Sequence, residues 1–446
     1  MAQTDIFNQI RKQDNRYEGG LVLKVAVVGA GRVGLPLAAV SSKYFDTIAV
    51  DVDGRVVQKI NEKENFSEPS LTEYLKKYNL EGSVDFDRIK DRDLVFVCVG
   101  SQSPGRGYSA KILMKALEKI APQLNTRNQV LAIVTTLPLP AMEGEILPYL
   151  ASQNVLDRIE GICYSPTMIA LGNAIEDFEQ PNYLLIGESE EGAGQKLQDF
   201  WRRIIGHDPP IFRSTLSNIV LAKYVLNTAL VLKITLMNTV TELCERAGGD
   251  IDLQAKILQA DPRIAGPKMF KGGLGYGGTC YPVDVDALRA ECERLGFPTS
   301  LADSIKEINS RQVDRTVELI ESFGKKKVAI LGVTYKPDTS IVVASQPLEI
   351  AARLMKENYE IMICDPKGIE EAKQKLGSNV LYTKDTTKAL AFGNIILLGV
   401  EWPQFRKLDS NSFRRDQIVV DPWRMLRARP PNCTYVPFGI GAERAR

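Results

Sequence analysis

Short apolar runs closed by turn formers punctuate this chain at its start and again in its last third, with long stretches of helical period between them. Residues 21–28 read as a buried strand entering Gly29-Ala30-Gly31-Arg32-Val33-Gly34. Leu35, Leu37, Ala38, Ala39 and Val40 then open an apolar helix, and a second strand over 47–50 ends at Asp51. Residues 93–99 and 129–134 continue the alternation. The first enters the loop Gly100-Ser101-Gln102-Ser103-Pro104-Gly105 and the second ends in Thr135-Thr136-Leu137-Pro138. Strands buried on both faces of a parallel sheet read as such continuous runs. Between them, residues 68–75 predict a helix start capped by Ser70, with Glu73 three residues on. Residues 162–187 close this region; Glu176 and Asp177 there read as a solvated helix end or as functional acids.

Residues 217–246 contain neither Gly nor Pro and predict a long helix starting at a Ser217 cap, with Ile219, Ala222, Leu226, Ala229, Leu230 and Leu236 on one face. Lys223 and Asn227, four apart, share a face. A lysine beside an apolar stripe ordinarily snorkels to solvent; with an amide one turn on, it becomes a candidate grip for a reacting oxygen. Residues 251–271 carry Asp261-Pro262-Arg263 and lead into Gly275-Tyr276-Gly277-Gly278-Thr279-Cys280-Tyr281-Pro282-Val283-Asp284. Glycines permit close backbone approach to a ligand and positive φ. A thiol just after such a loop sits at a helix N-terminus, where the dipole favours the thiolate, or is a buried free cysteine behind a tight turn. A second long helix is expected over 301–323. The last region repeats the opening theme, with strands at 327–332, 360–365, 394–400 and 417–421 and a helix over 345–358. Its glycine pattern is incomplete, so it is expected to hold a nucleotide part of a different ligand.

The fold class is therefore α/β, with two Rossmann-like doubly wound domains joined by a long-helix central segment. Boundaries are drawn at 1–20 for a polar extension, 21–215 for a dinucleotide-binding domain, 216–323 for a central dimerising domain carrying Cys280, and 324–446 for a second α/β domain. A length of 446 residues accommodates two to three domains. Net charge is +1 and no long charged run occurs, which gives no case for nucleic acid or a membrane surface. Residues 1–20 lack the apolar core of a signal peptide, and no uninterrupted apolar run approaches about 18 residues; a cytoplasmic protein is expected. The seven cysteines form no C-x-x-C pair, so neither a zinc knuckle nor a disulfide framework is indicated. The single histidine, His207, lies in a loop composition, which argues against a His-built metal site and a Ser-His-Asp triad. Chemistry then falls to cysteine, lysine, carboxylates or a cofactor. The glycine motif between strand and helix, with Asp51 about 20 residues on to accept ribose hydroxyls, points to NAD rather than NADP. The expected cofactor residues are Gly29, Gly31, Arg32, Val33, Gly34 and Asp51, with Val99 and Thr136 at later strand ends.

This order, with a set of specific motifs, closely resembles the UDP-glucose/GDP-mannose dehydrogenase family over residues 21–424. The motifs are Glu-Pro-Ser-Leu-Thr-Glu at 68–73, Ala222-Lys223 with Asn227, Asp261-Pro-Arg263-Ile, Gly277-Gly-Thr-Cys280 with Asp284, Ile308-Asn309 with Gln312, Tyr335-Lys336-Pro-Asp-Thr, and Glu401-Trp-Pro-Gln-Phe-Arg406. The resemblance implies oxidation of a sugar C6 alcohol to a carboxylate with two NAD. Cys280 would attack the C6 aldehyde to give a thiohemiacetal, later a thioester. Lys223 and Asn227 would stabilise the oxyanion, and Asp284 with a water near Thr136 would handle the first proton. Tyr276, Gly277, Gly278, Tyr335 and Lys336 would line the nucleotide-sugar site, with UDP favoured. Arg263 would reach a sugar nucleotide held mainly by a partner subunit, which implies a homodimer at least.

The chain departs from the family at substrate and hydrolysis positions. Thr167 stands where the segment N-P-E-F-L-x-E-G has the glutamate that drives thioester hydrolysis, and a threonine hydroxyl is no base near neutral pH. Val283 replaces a lysine of many members, although relatives acting on N-acetylated sugars also have valine there. Val343 takes the position of a substrate-binding arginine, and either Ser101 or Ser103 is the counterpart of a compact Thr-Pro. Three readings follow: a complete dehydrogenase that activates water another way, an enzyme that stops after one oxidation or acts elsewhere on the sugar, and a non-catalytic homologue. The retained Cys280, Lys223, Asn227 and Asp284 argue against the last.

Overall fold

The computed structural model describes residues 23–441 apart from 65, 67, 68, 104–106, 170–172, 263 and 265–268. These residues divide into two compact units. One holds 23–103 and 108–223, the other 107 and 224–441.

The first unit is built on an eight-stranded sheet of β1 (Lys24–Val28), β2 (Asp46–Val50), β3 (Glu81–Ser83), β4 (Leu94–Val97), β5 (Val130–Ile133), β6 (Gly161–Tyr164), β7 (Leu184–Glu188) and β8 (Ile211–Thr215). The spatial order is β8-β7-β6-β5-β4-β1-β2-β3, so the first six strands follow the 3-2-1-4-5-6 order of a dinucleotide-binding sheet. All pairs are parallel except β6–β7. The strands are apolar on both faces because helices cover both; Val25, Leu94, Phe96, Val130 and Ile133 are fully buried. Helix α1 (Gly34–Ser42) is buried from Gly34 to Ser41, which explains its lack of a polar face. Beneath the sheet Phe96 packs on Phe200 with ring centroids 4.9 Å apart, and Phe178 stacks on Trp201 at 5.9 Å. Ser70 lies inside the helix Pro69–Lys77 rather than capping it.

Helix α2 (Leu216–Ala247) runs for 32 residues from the first unit into the second, the boundary falling between Lys223 and Tyr224. Ser217 is within its first turn and hydrogen-bonds Glu143 instead of serving as the cap. Among the described residues this helix alone is long and apolar enough to cross a membrane, and half of its most apolar window is buried inside the protein. Its buried positions include Asn227, Thr228, Thr235, Asn238 and Thr241. The exposed positions Leu221, Val225, Ala229, Leu232, Leu236, Thr239 and Leu243 follow steps of three and four along one stripe. Ala229 and Leu236, expected to share one face with Ile219, thus lie on the open side while Ile219 is buried.

The second unit continues with α3 (Ile251–Ala260), α4 (Tyr281–Arg294) and α5 (Ser300–Ser322). Two ion pairs, Arg311–Glu242 and Arg315–Glu245, tie α5 to α2. A six-stranded, wholly parallel sheet follows: β9 (Lys327–Leu331), β10 (Glu360–Cys364), β11 (Leu381–Thr383), β12 (Ile395–Leu398), β13 (Ile418–Asp421) and β14 (Thr434–Pro437). Its order, β11-β10-β9-β12-β13-β14, repeats the 3-2-1-4-5-6 pattern. Helix α6 (Gln346–Lys356) leaves the loop after β9 and is capped by Ser345, whose Oγ accepts from Leu348 N–H and donates to the Val333 carbonyl.

Candidate active site

In the first unit β1 delivers the chain to a turn that only glycine can make. Gly29 has φ +92°, and a Cβ there would lie 2.7 Å from the Cys98 carbonyl oxygen. A Cβ on Gly34 would stand 1.9 Å from the Gly29 carbonyl, so this glycine lets the helix start pack against the strand. Gly31 meets nothing within 4 Å. Its need is therefore not internal packing, which fits close approach by a ligand backbone. No side chain caps α1 at Val33, leaving its first N–H groups for an anion such as a pyrophosphate. Arg32 beside them is exposed.

Asp51 ends β2. Its carboxylate accepts from Ala30 N–H at 2.7 Å and from Asp53 N–H at 2.9 Å, which fixes it next to the glycine turn while leaving it partly exposed. Val99 adjoins Gly29: a Cβ on that glycine would lie 3.1 Å from Val99 Cγ1. The Val99 loop is pinned by Thr135, whose Oγ1 accepts from Val99 N–H at 3.0 Å and lies within bonding distance of the Val97 and Val99 carbonyls. Sequence reasoning gave Thr135 no separate role. Burial separates it from Thr136, which is half-exposed at the same strand end. The glycine cradle, the uncapped helix start and the acid together fit NAD.

Lys223 is 8% exposed. Its Nζ donates to the Thr167 carbonyl at 2.9 Å and lies 3.4 Å from Met168 Sδ. The helix thus holds its lysine against the segment after β6, where Ser165 Oγ donates to the Leu185 carbonyl. Thr167 itself is half-buried.

In the second unit Cys280 is exposed and occupies the N-cap position of α4. Thr279 Oγ1 is 3.6 Å from its sulfur. Asp284, one turn into the helix, is fully buried and accepts a hydrogen bond from Asn227 Nδ2 of α2. The structure thus joins Asn227, Asp284 and the start of the cysteine helix. Burial pushes the Tyr281 phenol up to about 12, with Cys280 and Asp284 adding to the rise; burial likewise raises the phenol of the buried Tyr276.

The glycine loop before Cys280 is held on two sides. Tyr276 N–H donates to Asn309 Oδ1 at 2.9 Å, and its carbonyl accepts from Asn309 Nδ2 at 3.1 Å and Gln346 Nε2 at 2.9 Å. Gly278 N–H donates to the Val343 carbonyl at 2.9 Å. Gly278 has φ +87°, and a Cβ there would meet the Tyr335 ring at 2.6 Å; one on Gly277 would lie 2.2 Å from the Ala344 carbonyl oxygen. Beside this contact lies a pocket lined by Tyr335, Lys336, Gln346, Glu401 and Trp423. Val283 is half-exposed and Val343 exposed. Arg263 lies outside the described residues.

Three domain models of one family match consecutive parts of the chain. They are described as the NAD binding domain (residues 23–205), the central domain (219–311) and the UDP binding domain (329–428) of the UDP-glucose/GDP-mannose dehydrogenase family. The chain is 25% identical over 424 residues to a UDP-glucose 6-dehydrogenase of Haloferax volcanii, covering 91% of this chain and 98% of the relative. It is 28% identical over 402 residues to a UDP-glucose 6-dehydrogenase of Rickettsia felis, covering 87% and 88%. A solved UDP-glucose dehydrogenase of Pyrobaculum islandicum superposes with a TM-score of 0.87 at 25% identity, covering 96% of this chain and 100% of that one.

Proposed function

The chain belongs to the UDP-glucose/GDP-mannose dehydrogenase family and is an NAD-dependent nucleotide-sugar dehydrogenase; on that premise we propose that it oxidises the C6 alcohol of a UDP-linked hexose or N-acetylhexosamine to the uronate through Cys280. The observation that carries this reading is an exposed thiol at the N-cap of α4, with Asp284 and Asn227 bonded to each other one turn on.

Gly29, Gly31 and Gly34 with the start of α1 would hold the pyrophosphate of NAD, and Asp51 its ribose. When bound, NAD supplies the acceptor for the hydride removed at each oxidation. The residues do the rest. Asp284, with a water near Thr136, takes the proton of the sugar hydroxyl as the alcohol becomes an aldehyde. Cys280 Sγ then bonds to the aldehyde carbon, and the carbonyl oxygen becomes an oxyanion, whose stabilisation is the role assigned to Lys223 and Asn227. Once oxidised, this adduct is a thioester; water opens it, releasing the acid and returning the thiol. Tyr276, Gly277, Gly278, Tyr335 and Lys336 line the sugar-nucleotide side. The UDP-glucose 6-dehydrogenases among its relatives support a UDP-linked hexose, and Val283 supports an N-acetylated one.

A second copy is the proposed cover for the apolar stripe of α2, whose steps of three and four are those of a helix-pairing seam. Arg263 would then serve the partner's site.

A second reading stops after the first oxidation. Thr167 favours it, since its hydroxyl is no base and its carbonyl already accepts from Lys223. The Cys280→Ser variant tests the covalent route: with NAD and a UDP-sugar it is expected to yield no uronate. Uronate at the wild-type rate would exclude a thioester.

A further inference from the structure

We infer that Asn309 and Gln346 are positioning residues for Cys280, clamping the Tyr276 peptide so that the pocket beside Gln346 is linked mechanically to the thiol. The inference rests on the proposed role of Cys280. Three residues separate Tyr276 from Cys280, and two of them are glycines, so the loop has little stiffness of its own. Its shape is imposed from outside. Asn309, on α5, uses both ends of its amide on the backbone of one residue, accepting from Tyr276 N–H and donating to Tyr276 C=O. Gln346, the first residue of α6, donates to the same carbonyl from the other side.

The clamp is closed by contacts that leave no slack. Gly275 has φ +104°, and a Cβ there would stand 2.3 Å from Asn309 Oδ1. Gly277 faces the Ala344 carbonyl, and Gly278 is bonded to Val343. Ala344 itself adopts φ +48°, a left-handed conformation unusual for alanine. That conformation belongs to the turn that carries the Ala344 carbonyl toward Gly277 and Gln346 toward Tyr276. Gln346 also lines the pocket with Tyr335 and Lys336. A nucleotide seated there presses on the residue that fixes the thiol loop, so the end of the substrate far from the chemistry helps to place the reacting sulfur.

Gln346→Glu keeps the size of the side chain but removes the N–H donor and sets a carboxylate against the carbonyl oxygens of Tyr276 and Ala344. Asn309→Ala removes the other jaw. Each variant is expected to lose about tenfold to a hundredfold in kcat while KM for NAD stays within about twofold. Iodoacetamide labelling of Cys280, followed by peptide mass spectrometry on the full chain, should fall by about threefold or more, because the thiol is already exposed and position rather than access limits it. UDP alone, which lacks the sugar that would cover the sulfur, is expected to alter labelling of the wild type and not of Gln346→Glu. If both variants keep wild-type kcat and labelling, or if UDP acts equally on wild type and Gln346→Glu, the clamp is overturned. A wild-type enzyme inactive on every nucleotide sugar would instead overturn the dehydrogenase reading beneath it.

Discussion

A buried lysine needs acceptors, and Lys223 finds one in the carbonyl of Thr167. The side chain is thereby held on a neutral acceptor, from which an ammonium can turn to a developing oxyanion. Lys223→Met should lower kcat by about 10²–10³-fold, the usual cost of losing one oxyanion donor, with KM for NAD little changed in steady-state kinetics. A loss confined to KM would make the lysine a binding residue. Asp51 offers a second test at this scale. Its two backbone hydrogen bonds fix the carboxylate beside the glycine turn; if it holds the ribose, Asp51→Asn should raise KM for NAD by about tenfold or more, as expected for a charged hydrogen bond. An unchanged KM would separate Asp51 from the cofactor. The place of Asp51 beside the glycine turn was legible from its distance to the glycines; spacing made Lys223 only a candidate, and its role came from the family resemblance. Thr135, Asn309 and Gln346 as clamps were not, because their partners lie 33 to 70 residues away for the Tyr276 bonds and 36 for Val99.

At the scale of elements, buried strands announce themselves, since a strand covered on both faces is apolar throughout. β1, β2, β4 and β5 fall where the runs predict them, with ends shifted by one to a few residues. Helix starts were harder. Ser70 and Ser217 carry cap chemistry but sit inside their helices, because tertiary packing extends the turn beyond the local signal. α2 defeats a one-face reading for another reason. It is apolar on the packed side and on the open side, so period alone does not say which stripe faces the protein. If a second copy covers Leu232 and Leu236, the double variant Leu232→Glu/Leu236→Glu should behave as a monomer in sedimentation equilibrium while the wild type sediments as a dimer or larger. Identical masses would leave the stripe without that partner. The turn into α1 gives a stability prediction. Gly34→Ala forces a Cβ onto the Gly29 carbonyl, and thermal unfolding should show a loss of about 1–3 kcal/mol, the usual cost of overpacking. An unaltered midpoint would mean that the turn relaxes freely.

At the scale of the whole molecule, two sheets of the same strand order carry two turns of the same design and different use. Gly29 and Gly332 both have positive φ, +92° and +95°, and each first strand is followed across the sheet by an acid, Asp51 or Asp365. Asp51 stays partly exposed. Asp365 is fully buried and accepts from the backbone of Val333, Lys367 and Gly368 and from Trp402 Nε1. Its carboxylate is consumed by the fold, so the second sheet does not offer a ribose the site that the first does. The incomplete glycine pattern foretold a different ligand; the buried acid supplies a physical reason that composition could not. The pocket beside Tyr335 and Lys336 is the remaining nucleotide candidate in that unit. What the chain makes of the sugar then turns on Thr167 and Cys280 together. The most direct measurement is the number of NADH formed per sugar nucleotide consumed, across UDP- and GDP-linked hexoses and N-acetylhexosamines. The account predicts two NADH and one uronate for each UDP-sugar oxidised. One NADH with an accumulating aldehyde or ketone would contradict it and make the enzyme a single-step oxidant.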